Sequence, residues 1–345
     1  MRGLPDPRSL PVRGEDPVTR YDVIGIGNAI VDVISQSDDQ FLDLMGIQKG
    51  IMQLVERDRG EMLYGAMENR RQAPGGSVAN TLAGLGNLGL KTGFIGRVRD
   101  DALGQFYARE MAEDGTDFVN APVAGGELPT SRSMIFVSPD GERSMNTYLG
   151  ISAELGPEDV AEEVAANAAL LFLEGYLYDK DKGKAAFETA ARLTRAAGGK
   201  AGIALSDPFC VDRHRADFRQ LVTELDYVIG NEHEWKSLYE VADLEDALTA
   251  AAADCGLVVC TRSGQDVVLL RGAERVVVPV TEVVPVDATG AGDLFAAGFL
   301  YGLATGTDLA TAGRMGCVAA AEVISHYGAR PEGDLTALFQ AEGLL

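Results

Sequence analysis

From Ala168 onward the sequence alternates between two kinds of segment, and that alternation limits the folds open to the chain. "ALLFLEGY" is an apolar run of strand length, and "DKGKAAFETAARLTRAAG" has helical spacing. "KAGIALSDP" reads as strand, "DYVIGNEHEWKSLY" as strand into helix and "LEDALTAAAADCG" as helix. "LVVCTRSGQDVVLLRG" gives two strands, and "LATAGRMGCVAAAEVISHYG" a last long helix. Strands separated by helices pair in parallel, and the crossover helices cover both faces of the sheet. The sequence therefore predicts an α/β protein built on a mostly parallel sheet.

The first half is less regular. "YDVIGIGNAIVDVI" reads as an apolar strand interrupted by Gly25 and Gly27. "SVANTLAGLGNLG" is a helix whose small residues permit close packing, and "DALGQFYAREMAEDG" is an amphipathic helix closed by Gly115. Two strand-like pieces, "GIMQLV" and "SRSMIFVSPDGERSMNTYL" with a turn at Pro139–Gly141, break the alternation. They are expected to form a small separate sheet from about residues 48–56 and 128–150. Residues 1–20 are rich in Pro and charge and lack the apolar core of a signal peptide, so a flexible leader is expected there.

The chain has 345 residues, with 52 acidic and 30 basic side chains and a formal net charge of −22. Nucleic acids and anionic membranes are bound by clustered Lys and Arg, so neither is an expected partner. Any phosphate site must then be local, made of backbone N–H groups and a few cations. Cys210, Cys255, Cys260 and Cys317 form no C-x-x-C pair, and His214, His233 and His326 are scattered. Reduced buried thiols and no histidine-based metal site are expected, in a cytoplasmic protein. No run of eighteen apolar residues is present, so no membrane span is expected.

Several short motifs are ambiguous one by one. "GIGNAI" follows a strand, but Ile30 stands where a dinucleotide fingerprint needs its third glycine, and no G-x-x-x-x-G-K-[ST] run exists. "GNAIVD" places Asn28 and Asp32 just after a strand. They read as a turn Asn and a helix-starting Asp, or as polar groups for sugar hydroxyls. In "APGGSVANT", Gly75 and Gly76 permit close approach by a ligand, with Ser77 a cap and Asn80 facing a crevice or capping a carbonyl. In "GNEHEW", Asn231 and Glu234 read as a capping box, or as groups ordering water around Mg²⁺. "TRSG", Thr261 to Gly264 with Ser263 within it, is a hairpin turn or a nucleotide contact. Arg143 of "GERSM" is a solvated charge or a phosphate clamp. In "VVPVDATGAGDLFAAGF", Gly290, Ala291 and Gly292 precede Asp293 at a helix start. A cap explains one Gly and one Asp. A phosphate site explains the whole small-residue run, with Asp293 placed to take a proton from an attacking hydroxyl.

Taken together and in this order, these pieces resemble the PfkB (ribokinase-like) carbohydrate kinase family from about Tyr21 to Pro331. "PGGSVANTLAGLGNLG" resembles its N-terminal glycine signature, "DATGAGDLFAAGF" its C-terminal one, and "GNEHE" its N-x-x-E element. The resemblance implies a doubly wound α/β domain over residues 21–345 with a small β lid. It implies ATP and Mg²⁺ as cofactors, with Asp293 as general base and Gly290, Ala291 and Gly292 as an anion hole. Asn28, Asp32, Gly76 and Asn80 would hold a sugar. Asn231 and Glu234 would organise Mg²⁺ and phosphates. Asp287, Thr289 and Gly328 would lie near a monovalent-cation (K⁺) site found in some members. The G-N-x-x-x-D spacing, "GGSVANT", "LEGYL" and "ERSM" look most like the adenosine kinase branch. "TRSGQDV" departs from the family's T-x-G-x-x-G loop at Ser263, and Ala288 replaces a frequent Thr. The expected activity is phosphoryl transfer from ATP to a primary hydroxyl of a nucleoside, adenosine first, by a monomer or homodimer. The alternatives are the same chemistry on ribose, fructose or a keto-deoxy sugar acid, and a non-catalytic binding protein.

Overall fold

The computed structural model describes residues 21–345, so the leader expected over residues 1–20 lies outside the described residues. Fourteen strands run in chain order: β1 (Tyr21–Ile26), β2 (Ile30–Gln36), β3 (Met52–Leu54), β4 (Arg71–Gly75), β5 (Thr92–Ile95), β6 (Thr116–Phe118), β7 (Ser131–Val137), β8 (Arg143–Tyr148), β9 (Ala168–Glu174), β10 (Lys200–Ala204), β11 (Tyr227–Asn231), β12 (Val258–Arg262), β13 (Gln265–Arg271) and β14 (Glu274–Val278). Nine form one sheet in the order β14-β13-β12-β11-β10-β9-β1-β5-β6. From β12 to β6 every pairing is parallel, and the β12–β13–β14 edge is antiparallel. Two apolar clusters cover its faces. Successive residues feed opposite ones, as Val23 and Phe172 join one while Ile24 and Leu171 join the other. The doubly wound α/β architecture is present as the alternation implied.

The remaining five strands make a second sheet in the order β3-β8-β7-β2-β4. It contains β3, β7 and β8, which lie in the two irregular pieces, but also β2 and β4. The stretch "YDVIGIGNAIVDVI" is therefore two strands in two sheets, broken at Gly27–Ala29. The two halves differ physically. β1 is buried almost throughout, as a central parallel strand is, whereas β2 alternates between buried and half-buried positions. Asp32 neither follows a strand nor starts a helix; it sits within β2.

Two helices carry the cleft residues. Ser77–Asn87 and Ala291–Thr305 cross at Gly84, where a Cβ would lie 2.7 Å from that of Ala297. The absence of a side chain lets the helices approach closely enough for their first turns to share a site.

Candidate active site

The carboxyl ends of β1, β9, β10, β11 and β12 open into a cleft of about 900 Å³, and the small sheet forms its other wall. Ligand crevices in open α/β sheets lie along this edge. Of the candidate residues, Asn28, Asp32, Gly76, Ser77, Asn80, Asn231, Glu234, Thr261, Thr289, Gly290, Ala291, Gly292 and Asp293 line it.

Asp293 is in the first turn of the helix that starts at Ala291. Ser77 Oγ donates to one carboxylate oxygen at 2.6 Å, and Asn80 Nδ2 to the other at 2.9 Å. Thr81 Oγ1 holds the Asp293 carbonyl at 3.0 Å. Burial pushes the carboxyl up to about 6, against the opposing pull of Ser77, Asn80 and the Arg330 guanidinium. A helix N-terminus favours the charged form, but desolvation outweighs that effect here. Asp293 is still mostly ionised at pH 7. Gly290 has φ 80°, and a Cβ there would lie 2.7 Å from Ala329 Cα, so only glycine fits this turn. Gly292 is different. A Cβ there would meet nothing within 4 Å, so its backbone faces open cleft. Its N–H and that of Asp293 have no intrahelical acceptor, whereas the Ala291 N–H reaches back to the Ala288 carbonyl at 3.3 Å.

Asp32 points into the cleft, and its carboxylate has no hydrogen-bond partner among the described residues. Burial raises it to about 6, the Asp293 charge adds to that, and Arg143 and Arg330 oppose it. Gly75 is not where a ligand approaches. A Cβ there would lie 2.8 Å from the Asp32 carboxyl, so glycine makes room for this side chain. Gly76, with φ 100°, would put a Cβ 2.2 Å from the Asn28 carbonyl. At both positions the close approach is by the chain itself.

Asn28 is held rather than free. Its Nδ2 donates to Glu174 at 2.6 Å, its backbone N–H donates to the same oxygen at 2.7 Å, and its Oδ1 accepts from Ser152 at 2.9 Å. Glu174, 1% exposed, is raised to about 7 by burial despite these bonds. Neither Glu174 nor Arg330 was singled out from the sequence. The signal for Glu174 is a carboxylate closing the apolar run "ALLFLE". Arg330 lies two residues beyond Gly328 in "GARP", donates to Asp114, and has Nε 3.4 Å from Asn80 Oδ1.

Asn231 and Glu234 form a reciprocal capping box: Asn231 Oδ1 accepts from the Glu234 N–H at 2.9 Å, and Glu234 accepts from the Asn231 N–H at 2.8 Å. Asn231 Nδ2 donates to the other Glu234 oxygen at 2.6 Å, and burial lifts Glu234 to about 7. Among the described residues no cluster of three or more His, Cys, Asp or Glu could ligate a metal.

Three groups of candidate residues stand in surroundings their motifs did not announce. Ser263 and Gly264 do not line the cleft; they are exposed at the β12–β13 hairpin, and only Thr261 reaches the site. Arg143 is not a solvated charge, and its buried Nε has no hydrogen-bond partner among the described residues. Arg143 pairs with Asp287 at 2.5 Å, tying the small sheet to the loop before Gly290. Asp287 is surrounded by donors, with Thr289 Oγ1 at 2.6 Å, Thr289 N–H at 3.0 Å and Gly328 N–H at 3.1 Å. Burial pushes its carboxyl up, but these donors and Arg143 hold it below its usual value. A carboxylate already saturated by donors does not fit a monovalent cation.

The profile of the pfkB family carbohydrate kinases matches residues 44–334. The chain belongs to this family. It is a kinase that transfers a phosphoryl group to a hydroxyl. An ATP-dependent ribose-1-phosphate kinase of Halopiger xanaduensis is 30% identical over 287 residues, covering 80% of this chain and 90% of its own. The adenosine kinase of Sinorhizobium meliloti superposes with a TM-score of 0.85 at 46% identity, covering 93% of this chain and 99% of that one. A probable sugar kinase of Rhizobium etli gives 0.87 at 45% identity, with 95% and 100% covered. Among the described residues no helix is long and apolar enough to cross a membrane, and all four cysteines are free and buried.

Proposed function

We propose that this pfkB kinase phosphorylates a primary hydroxyl of a nucleoside, adenosine first, with ATP as donor. The observation that carries the choice of acceptor is the wall beside Asp32. Ile30, Met52, Leu54, Met145 and Leu149 line the cleft there, and Met52 and Leu54 are 49% and 53% exposed. Apolar side chains left open around a carboxylate fit a ligand with a polar sugar and a flat apolar base. A free sugar would leave that wall wet. The 46% identical adenosine kinase of S. meliloti supports the same reading.

In this reading the two oxygens of Asp32 accept from the vicinal ribose hydroxyls, and Ser77 and Asn80 aim the Asp293 carboxylate at the primary hydroxyl. Asp293 takes the hydroxyl proton as the oxygen forms its bond to the γ-phosphorus. The bond from that phosphorus to the bridging oxygen of ADP breaks, and ADP leaves. The free N–H groups of Gly292 and Asp293, at the positive end of a 15-residue helix, stabilise charge on the transferring group. Arg330 contributes positive charge near both aspartates. Thr261 and the Asn231–Glu234 box stand at the end of the cleft assigned to the nucleotide. Asn231 and Glu234 would hold a hydrated Mg²⁺ through its waters, and the ion would neutralise charge on the ATP phosphates. The five-stranded sheet acts as a lid, latched by Arg143–Asp287.

The test is kcat/KM for ADP release across adenosine, other nucleosides, ribose, fructose and keto-deoxy sugar acids. Adenosine should lead. Turnover of a free sugar without turnover of adenosine would overturn the assignment of the acceptor. Binding without turnover across the whole panel would favour a non-catalytic protein.

A further inference from the structure

The register of the small sheet sets a row of polar side chains across its cleft-facing side. Asp32 on β2 stands opposite Ser133 on β7, Ser133 opposite Thr147 on β8, and Thr147 opposite Leu54 on β3. Met52 and Met145 form the end of the neighbouring row, and both line the cleft. Ser133 and Thr147 thus place two hydroxyls between the Asp32 carboxylate and the apolar Leu54, Met52 and Met145.

They are buried, at 2% and 6% exposure, and their oxygens are 2.9 Å apart. Two hydroxyls carry two hydrogens. One lies in the bond between them. The other has no acceptor among the described residues. A hydroxyl hydrogen at the cleft wall that no protein group accepts is available to a bound ligand. Neighbouring strands lie about 4.8 Å apart, so the pair stands roughly one to two strand spacings from Asp32. A heterocycle attached to a sugar held at Asp32 reaches that far.

We propose that the Ser133–Thr147 pair donates one hydrogen bond to a ring nitrogen of the acceptor's base, making the site selective for purine nucleosides that present that nitrogen. The inference rests on the nucleoside reading above and goes beyond it by naming what reads the base. Either hydroxyl can be the outward donor, so removing one leaves the other able to substitute. The pair has to be removed together.

The experiment compares kcat/KM for adenosine and its 1-deaza, 3-deaza and 7-deaza analogues in wild type, in Ser133→Ala/Thr147→Val and in Thr147→Ser. Wild type should lose about ten- to hundred-fold on one analogue, because that analogue leaves the donor unpaired. The double variant should use that analogue and adenosine alike, and Thr147→Ser should keep the discrimination. Equal use of all three analogues by wild type overturns the proposal, whatever the folding of the variants. So does discrimination that survives in the double variant. If adenosine is turned over well in either case, the base contact alone falls. If adenosine is not turned over while a free sugar is, the nucleoside reading falls with it.

Discussion

Asp293→Asn separates chemistry from stability, because the structure predicts opposite effects on the two. The substitution keeps the size of the side chain in the first turn of the helix that starts at Ala291, where Gly290 and not Asp293 is the N-cap. It removes the group that accepts the hydroxyl proton, so kcat should fall about 10²–10⁴-fold. Stability should move the other way. Burial raises the folded-state pKa from 3.8 to about 6. A carboxyl whose folded pKa lies above its unfolded value opposes folding when ionised. The penalty is absent below the unfolded value and grows as pH rises to about 6. At pH 7.5 that rise in pKa corresponds to about 3 kcal/mol. Asn cannot accept from both Ser77 and Asn80, and that mismatch costs about 1 kcal/mol. The variant should therefore melt a few degrees higher than wild type at pH 7.5. At pH 4.5, where wild-type Asp293 is protonated, the advantage should vanish. Calorimetry at both pH values, beside initial-rate assays, makes the comparison. A variant that keeps most of its kcat would reduce Asp293 to a structural link between its helix and Ser77 and Asn80. One that is inactive but less stable than wild type at pH 7.5 would contradict the desolvated-carboxylate argument.

Asp32→Ala should raise KM for the hydroxyl acceptor by about 1–3 kcal/mol worth of binding while leaving ATP affinity nearly unchanged; a normal acceptor KM would remove Asp32 from the site. The acid limb of kcat/KM for the acceptor should fall near pH 6 with a slope approaching 2, because Asp32 and Asp293 are both raised to about 6 and both act ionised. A slope of 1 with a limb near pH 4 would mean that neither carboxyl is held in the desolvated state. Backbone hydrogen exchange in β3, β7 and β8 should slow when the acceptor binds, and equal exchange with and without acceptor would count against a lid.

The large sheet was legible because its strands are buried on both faces and its crossovers are helices with clear periodicity. The small sheet was half legible. β2 announces itself by the alternation in "IVDVISQ", but it follows β1 with only three residues between them and reads as one strand until the burial patterns are compared. β4, "RQAPG", has Pro and Gly and little strand propensity; it is recruited by pairing with β2. Ser77, Asn80 and Asp293 were each visible in their motifs, but the hydrogen bonds uniting them cross more than 200 positions. The helix crossing at Gly84 creates that proximity, and no local pattern encodes it. The same holds for Arg143, whose partner Asp287 lies 144 residues away. Its motif left it a surface charge or a phosphate clamp, and the fold made it a tie between the small sheet and the loop before Gly290.

The most direct measurement is the fate of a labelled γ-phosphoryl group. Enzyme and γ-labelled ATP are mixed with equal concentrations of adenosine, ribose and fructose, and the products are separated for wild type and Asp293→Asn. The account predicts label in AMP for wild type, little in the sugar phosphates, and a loss of about 10²–10⁴-fold in the variant. Label accumulating in a sugar phosphate, or undiminished transfer by Asp293→Asn, would contradict it.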